Sequence, residues 1–217
     1  GAAPIQNIGA YGVEIAEKLE SIELYDCQAR QLLHWNNADC HFGYRDSLLK
    51  RDPNNARVVL SLTLQLSRQA AVNLSYPALR QELGDPAATP QAVFAAVCAI
   101  RRRKLPDPSL LGNAGSFFKN PTVSRACFEN LKSKHSELPA FETEDPDMVK
   151  LPAGWLLDRL GWRGRRRGKA GVHEHHALVI VNHGGATGEE LLLLAQDMSS
   201  AVLNEFGVAL EPEVRLV

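Results

Sequence analysis

The segment at residues 112–121 concentrates side chains suited to holding a polar ligand. It contains two glycines, two asparagines, one lysine and Ser116, so close backbone approach and several hydrogen-bond donors are available together. Two interpretations remain open: a buried polar site around Ser116, or a Gly-Ser turn anchored by Phe117 and Phe118. Ser116 does not lie in a Gly-x-Ser-x-Gly pattern, so a hydrolase nucleophile gains little support.

A second candidate is Arg45, which is followed directly by Asp46. A guanidinium can bind a substrate carboxylate or phosphate through two parallel hydrogen bonds. A structural ion pair between Arg45 and Asp46 is the alternative, and the sequence does not choose between them.

Two carboxylates near the end of the chain form a third candidate. Glu211 and Glu213 flank Pro212, and an edge strand or bulge at this position would turn one carboxylate towards a cleft. The alternative is a solvated terminal strand.

The other charged patterns give weaker evidence of a binding or catalytic site. Residues 101–104 and 163–169 are strongly basic and could neutralise a diphosphate. The second cluster is not a phosphate loop, because Arg163 replaces the first glycine and Ala170 the Ser or Thr. His173, His175, His176 and His183 do not follow the His-Glu-x-x-His order and no cysteine is nearby, so we expect no metal site.

Composition indicates a globular protein of one large or two modest domains. The 217 residues are 45% hydrophobic, with 24 Lys and Arg against 25 Asp and Glu, so neither nucleic acid nor an anionic membrane is expected as a partner. The longest apolar run is too short to cross a bilayer. Four widely spaced cysteines are expected to be buried free thiols in a reducing cytoplasm.

The elements that position these candidates mix strands and helices, which predicts an α+β fold. In the first half, strands are predicted at residues 13–25 and 31–35, paired as a hairpin, and at residues 58–66 with one buried face formed by Val58 and every second residue after it. Thr89 and Pro90 should begin a helix ending near Arg103.

An irregular segment at residues 105–121 follows, and a domain boundary is predicted at its start. Short helices are then predicted at residues 124–134 and 152–160, and a strand at residues 177–182. Thr187 and Glu190 form a capping box for a long helix ending at Gly207. The chain should finish as a strand over residues 208–217.

These segments, in their residues and in their order along the chain, resemble those of one family, the UDP-N-acetylenolpyruvoylglucosamine reductases. The matching stretches are residues 4–12, 42–47, 104–108, 112–121 and 210–215. The resemblance implies a flavoenzyme that uses NADPH and FAD to reduce the enolpyruvyl group of a UDP-sugar in peptidoglycan precursor synthesis.

The resemblance also implies residue roles. Arg45 and Glu213 would polarise the enolpyruvyl carboxylate, and Ser116 would protonate the resulting enol. Substrate-binding roles carry over to Tyr76, in a loop of the family's first subtype, and to Lys104, Asn120 and His176. Related sequences often carry glutamine where His176 stands. Cofactor-binding roles carry over to Ile5, Gln6 and Arg215.

The implied organisation is a partial FAD-binding module at residues 1–104 and 207–217 around a substrate-binding domain at residues 105–206. We expect that the family's N-terminal FAD-binding segment is missing from this sequence through truncation, and that the protein is a cytoplasmic monomer. An alternative is an inactive fragment that binds only the sugar nucleotide. That alternative would bind the UDP-sugar without retaining flavin.

Overall fold

A computed structural model describes residues 2–54, 56–69, 71–84 and 88–216 of the chain. Its contacts divide the chain into two units, residues 1–100 and residues 101–217. Helices and strands occur together in both, which confirms the predicted α+β class.

The first half of the chain is built around a three-stranded antiparallel sheet. In chain order its elements are helix α1 (Ala2–Ile5), strands β1 (Gly9–Ala10), β2 (Val13–Glu14), β3 (Leu19–Asp26) and β4 (Gln31–Asn36), helix α2 (Leu48–Arg51), strand β5 (Arg57–Leu64), and helices α3 (Pro77–Leu83) and α4 (Pro90–Lys104). Strand β3 lies between β4 and β5. The predicted hairpin is therefore confirmed, although a 3₁₀ turn at Ile15–Glu17 interrupts the strand expected over residues 13–25.

The predicted buried face of the strand at residues 58–66 is wrong except at Leu62. Val58 and Leu60 are 50% and 55% exposed, whereas Val59 and Leu62 pack against the core and pair with buried residues of β3. The register shifts between these two pairs, so Leu60 is the extra residue of a β-bulge. A bulge changes which alternate residues point to a given face of the sheet.

Helix α4 begins as predicted. The Thr89 hydroxyl accepts a hydrogen bond from the Ala92 amide at 3.2 Å, and Pro90 is the first helical residue. Ile100 is buried, but Phe94 is 73% exposed and does not contribute to the core.

The second half of the chain contains two more sheets and its own large hydrophobic core. Its elements are strands β6 (Gly112–Ser116) and β7 (Thr122–Ser124), helix α5 (Arg125–Lys134), strands β8 (Phe141–Glu142) and β9 (Met148–Lys150), helix α6 (Ala153–Arg159), strands β10 (Arg166–Arg167), β11 (Ala170–His173) and β12 (His176–Asn182), and helix α7 (Gly188–Phe206). The sheet orders are β10-β11-β12-β6 and β7-β9-β8. The predictions for α5, α6 and β12 are confirmed.

Helix α7 also matches its prediction. The Thr187 side chain accepts from the Glu190 amide, and the Glu190 side chain bonds back to the Thr187 amide. The helix ends at Gly207, whose φ of 65° is left-handed and favours glycine. Its buried face includes Met198 and Val202, which lie in the core of the second unit.

The terminal strand predicted over residues 208–217 is wrong for its described residues. Only an isolated bridge between Phe118 and Pro212 forms there. Pro212 has no amide hydrogen, so the ladder of backbone hydrogen bonds cannot continue through it. Val217 lies outside the described residues.

Within the described ranges, no helix combines the length and the apolar character needed to cross a membrane.

Candidate functional site

Arg45 is held by two groups of the first unit. Its Nη2 lies 2.5 Å from the Gly9 carbonyl oxygen, and its Nη1 lies 3.4 Å from Glu14 Oε1. The Arg45 backbone has a φ of 53°, a left-handed conformation that is uncommon outside glycine. Asp46 contacts Arg51 through an ion pair.

Buried polar side chains hold the loop that carries Arg45 and the carboxylate that contacts it. Asn7 is 1% exposed, and its Nδ2 donates at 2.8 Å to both Glu14 Oε2 and the Gly43 carbonyl. Ser47, fully buried, donates to the Ile5 carbonyl at 2.7 Å. Because their hydrogen bonds are satisfied inside the protein, these groups fix the loop that carries Arg45.

Gln6, predicted to bind the cofactor, is linked by a lysine to the backbone of Arg45. Lys50 Nζ donates to Gln6 Oε1 at 2.8 Å and to the Arg45 carbonyl at 2.9 Å. Ile5 is partly buried against the core beneath the β3 sheet. This part of the first unit therefore presents an aliphatic side chain beside an amide and a cation.

Tyr76 stands directly before helix α3 and is 37% exposed. Its ring lies edge-on to Tyr11, with 5.1 Å between centroids. Asn73 Nδ2 donates to the Gly12 carbonyl at 2.8 Å, so the segment before Tyr76 is tied to the β1–β2 hairpin.

In the second unit, Ser116 is the last residue of β6 and pairs with Val179 of β12. The residue before it, Gly115, has a φ of 74°, and its amide donates to Asn113 Oδ1 at 3.0 Å. This left-handed conformation favours glycine at 115, and it sets the backbone on which the half-buried Ser116 is presented.

Glu213 meets the same segment through the backbone. The Glu213 amide donates to the Phe117 carbonyl at 2.7 Å, and the Lys119 amide donates to the Glu211 carbonyl at 2.9 Å. Phe117 is buried and anchors the junction, which agrees with the interpretation of a segment anchored by Phe117 and Phe118. The structure thus brings Ser116 and Glu213 to neighbouring positions, while Glu211 is the carboxylate that pairs with Lys119, at 2.7 Å.

Asn120 has a structural contact. Its Oδ1 accepts from the Ala153 amide at 3.0 Å, where helix α6 begins. The carbonyl end of this amide is therefore occupied in stabilising the start of the helix.

His176 is half-buried at the beginning of β12, and its Nδ1 accepts from the Leu178 amide at 3.3 Å. Burial, followed by the positive charge of Lys104, holds the pKa of His176 below its ordinary value. Asp158 acts in the opposite direction, and His173 adds to the lowering. Lys104 itself is exposed at the end of α4, as is Arg215 in the terminal segment.

Comparison with known proteins decides the family. Residues 107–217, slightly more than half of the chain, match the profile described as UDP-N-acetylenolpyruvoylglucosamine reductase, C-terminal domain. The chain belongs to the UDP-N-acetylenolpyruvoylglucosamine reductase family. The resemblance noted from its motifs is thereby confirmed.

Individual reductases of this name are similar over nearly the whole chain. The protein from Paraburkholderia phymatum is 48% identical over 218 residues, which cover 98% of this chain and 63% of that relative. The protein from Pseudomonas aeruginosa is 47% identical over 219 residues, covering 100% of this chain and 64% of the relative. The chain thus spans less than two thirds of the length of these relatives.

A solved reductase structure shares the fold. The crystal structure of UDP-N-acetylenolpyruvylglucosamine reductase from Thermus caldophilus aligns with a TM-score of 0.62 at 23% identity. The alignment covers 99% of this chain and 59% of that one.

Sequence reasoning missed Asn7, Glu14 and Lys50 as members of the polar cluster around Arg45. Asn7 and its acceptor Gly43 are 36 residues apart in the chain, as are Arg45 and its acceptor Gly9. Contacts this distant have no local sequence signal. The only hint was that Asn7 and Glu14 lie within or beside a stretch that already matched the reductase motifs.

The remaining patterns have local roles. Arg167 pairs with Asp197, and Arg165 stacks 4.8 Å from the Trp162 ring, so the basic cluster at residues 163–169 is partly engaged with its own surface. Among the described residues, no three His, Cys, Asp or Glu side chains are grouped to hold a metal. All four cysteines are free thiols, but only Cys40 is buried, and Cys27 is exposed.

Proposed function

We propose that this chain takes part in the FAD-dependent, NADPH-driven reduction of UDP-N-acetylglucosamine enolpyruvate to UDP-N-acetylmuramate. The names of its relatives support this reaction. The observation that carries the proposal is the backbone junction at Phe117, which links the segments of Ser116 and Glu213. We further propose that the protein acts as a cytoplasmic monomer.

FAD is proposed to bind residues 1–104 with help from residues 207–217, and the UDP-sugar to bind residues 105–206. The contacts around Gln6 fit a flavin, whose ring has apolar faces and a polar edge. Ile5 would contact the ring, Gln6 and Lys50 would meet its polar edge, and Arg215 would bind its chain. When bound, FAD supplies the hydride that NADPH has delivered.

Arg45 is proposed to bind the carboxylate of the enolpyruvyl group. Because the Gly9 carbonyl and Glu14 hold its guanidinium, little side-chain freedom has to be lost when the carboxylate arrives. Together with Glu213, Arg45 would polarise this carboxylate and so favour hydride addition to the double bond.

Ser116 is proposed to give the proton that completes the reduction. A serine hydroxyl is a weak acid, so this role needs a fixed position and positive charge nearby. The left-handed turn at Gly115 supplies the fixed position. Lys104 lies in the same unit and is a candidate source of the charge.

The diphosphate and sugar are proposed to contact Tyr76, Lys104, Asn120 and His176. Tyr76 belongs to a segment tied to the β1–β2 hairpin, and closing this segment over the ligand would exclude water. The Nδ2 of Asn120 would serve the sugar nucleotide, because its Oδ1 already accepts from the Ala153 amide.

The proposal predicts that Ser116→Ala stops product formation without unfolding the protein. We expect the rate of UDP-N-acetylmuramate formation to fall by about 10²–10⁴-fold, the usual contribution of a positioned proton donor. The matched control is Ser133→Ala, which removes an exposed serine hydroxyl that donates only to the Asn130 carbonyl. Equal rates for Ser116→Ala and the unmodified chain would contradict the role of Ser116, and no product from the unmodified chain would contradict the proposed function.

A further inference from the structure

Lys119 is a largely buried cation at the junction between residues 117–119 and residues 211–213. Its side chain is 14% exposed, and its Nζ lies 2.7 Å from Glu211 Oε1. A buried ammonium group that loses its partner is strongly unfavourable, because its charge is then neither fully hydrated nor compensated. Lys119 therefore needs a carboxylate close to it.

The backbone contacts at this junction define which carboxylates Lys119 can reach. An antiparallel bridge at Phe118 aligns the two segments. The Lys119 amide donates to the Glu211 carbonyl at 2.9 Å, and the Glu213 amide donates to the Phe117 carbonyl at 2.7 Å. Glu211 thus lies opposite Lys119, and Glu213 is its diagonal neighbour on the same side. Diagonal neighbours about 7–8 Å apart are within reach of a long side chain.

The segment that carries both glutamates is anchored at its two ends. Leu210 is buried in the core of the second unit, and Val214 packs against that core. Between them, Pro212 has no amide hydrogen and cannot extend the two backbone hydrogen bonds of the junction. The backbone is therefore fixed, whereas the position of each carboxylate depends on the partner of its own side chain.

We propose that Glu211 is a positioning residue: by pairing with Lys119, it keeps this cation from pairing with Glu213 and leaves the Glu213 carboxylate in place for the reduction. The inference rests on the proposed function, in which Glu213 acts on the substrate. An ion pair between Lys119 and Glu213 would draw the Glu213 carboxylate away and compensate its charge. Two glutamates that are two residues apart thus have different tasks.

The first test is Glu211→Gln in the 217-residue chain, which removes the carboxylate and leaves the cation. We expect Lys119 to pair with Glu213 instead, and kcat for enolpyruvyl reduction to fall by on the order of 10²-fold, the effect of a misplaced catalytic group. KM should change little, because the lost interaction belongs to the transition state. Steady-state kinetics would measure both values.

Removing the cation as well should reverse most of this loss. In the double variant Glu211→Gln with Lys119→Met, no ammonium group competes for Glu213, so kcat should return to within about tenfold of the unmodified chain, the most that one lost ion pair of this kind costs. A role in stability alone predicts a double variant no faster than Glu211→Gln, since it lacks both partners.

Glu142→Gln is the matched control. Glu142 is 75% exposed, against 72% for Glu211, and it pairs with Arg125 at 2.6 Å elsewhere in the second unit. Losing this carboxylate should leave kcat and KM unchanged.

A crystal structure of Glu211→Gln gives a readout that does not depend on turnover. We expect Lys119 Nζ to lie within about 4 Å of a Glu213 carboxylate oxygen. The inference alone is overturned if Lys119 stays away from Glu213 in that structure, or if the double variant is as slow as Glu211→Gln. Absence of product from the unmodified chain would instead overturn the proposed function, while the structure would still decide which carboxylate Lys119 binds.

Discussion

The sequence predicted the importance of Arg45 but not the residues that it contacts. Its type and its neighbours in the chain predicted an anion-binding guanidinium or an ion pair with Asp46. The structure gives it Glu14 and the Gly9 carbonyl as partners. Those contacts depend on the fold of the β1–β2 hairpin, so no pattern around Arg45 could predict them, whereas the family motif predicted Arg45 itself.

Gly9 is a position at which an added side chain would disturb the contacts of Arg45. A Cβ at position 9 would lie 2.7 Å from Glu14 Cγ and 2.9 Å from Arg45 Nη1, both closer than van der Waals contact. We predict that Gly9→Ala displaces Arg45 and lowers the rate of enolpyruvyl reduction by on the order of 10²-fold, because a small misplacement of a positioning group has this effect. Steady-state kinetics would measure it.

Gly43→Ala is the control for Gly9→Ala. Its added Cβ would meet the nearest atom, Asp46 Cβ, at 3.6 Å, an ordinary contact in the loop that carries Arg45. Its rate should stay close to that of the unmodified chain. If the two variants reduce the substrate equally fast, the position of Arg45 does not depend on Gly9.

Secondary-structure elements were predictable where the residues that specify them lie within the element itself. Helix α7 carries its capping box, apolar face and glycine stop within its own sequence, and all three were recognised. The buried side of β5 was not, because the bulge at Leu60 arises from its pairing with β3. The prediction of a terminal strand was wrong because Pro212, which has no amide hydrogen, forms only an isolated bridge with Phe118.

The capping of α7 gives a stability prediction. Thr187→Ala removes the oxygen that accepts from the Glu190 amide at 3.2 Å. We expect the free energy of unfolding to fall by about 1 kcal/mol, the usual effect of losing such a cap. Chemical denaturation would measure this value.

Thr187→Ser keeps the hydroxyl oxygen and is the matched control. It should retain most of the stability that Thr187→Ala loses. If the two variants are equally destabilised, the side-chain hydrogen bond does not stabilise α7, and the effect comes from lost packing of the threonine methyl group.

For the whole molecule, composition predicted one or two domains, and the structure shows two units, residues 1–100 and 101–217. The contacts group residues 207–217 with the second unit, because Glu211 and Glu213 bond to the segment after β6. Family membership came from the order of motifs along the chain, and no single motif was sufficient. The assignment of FAD and UDP-sugar to particular residue ranges remains a prediction.

The most direct test of the account follows the visible absorbance of the chain after incubation with FAD and gel filtration. We predict that a flavin spectrum is retained, that NADPH removes the absorbance of oxidised flavin, and that UDP-N-acetylglucosamine enolpyruvate restores it. A chain that binds the sugar nucleotide but retains no flavin would contradict the account. So would a flavin whose absorbance, once lost to NADPH, is not restored by that substrate.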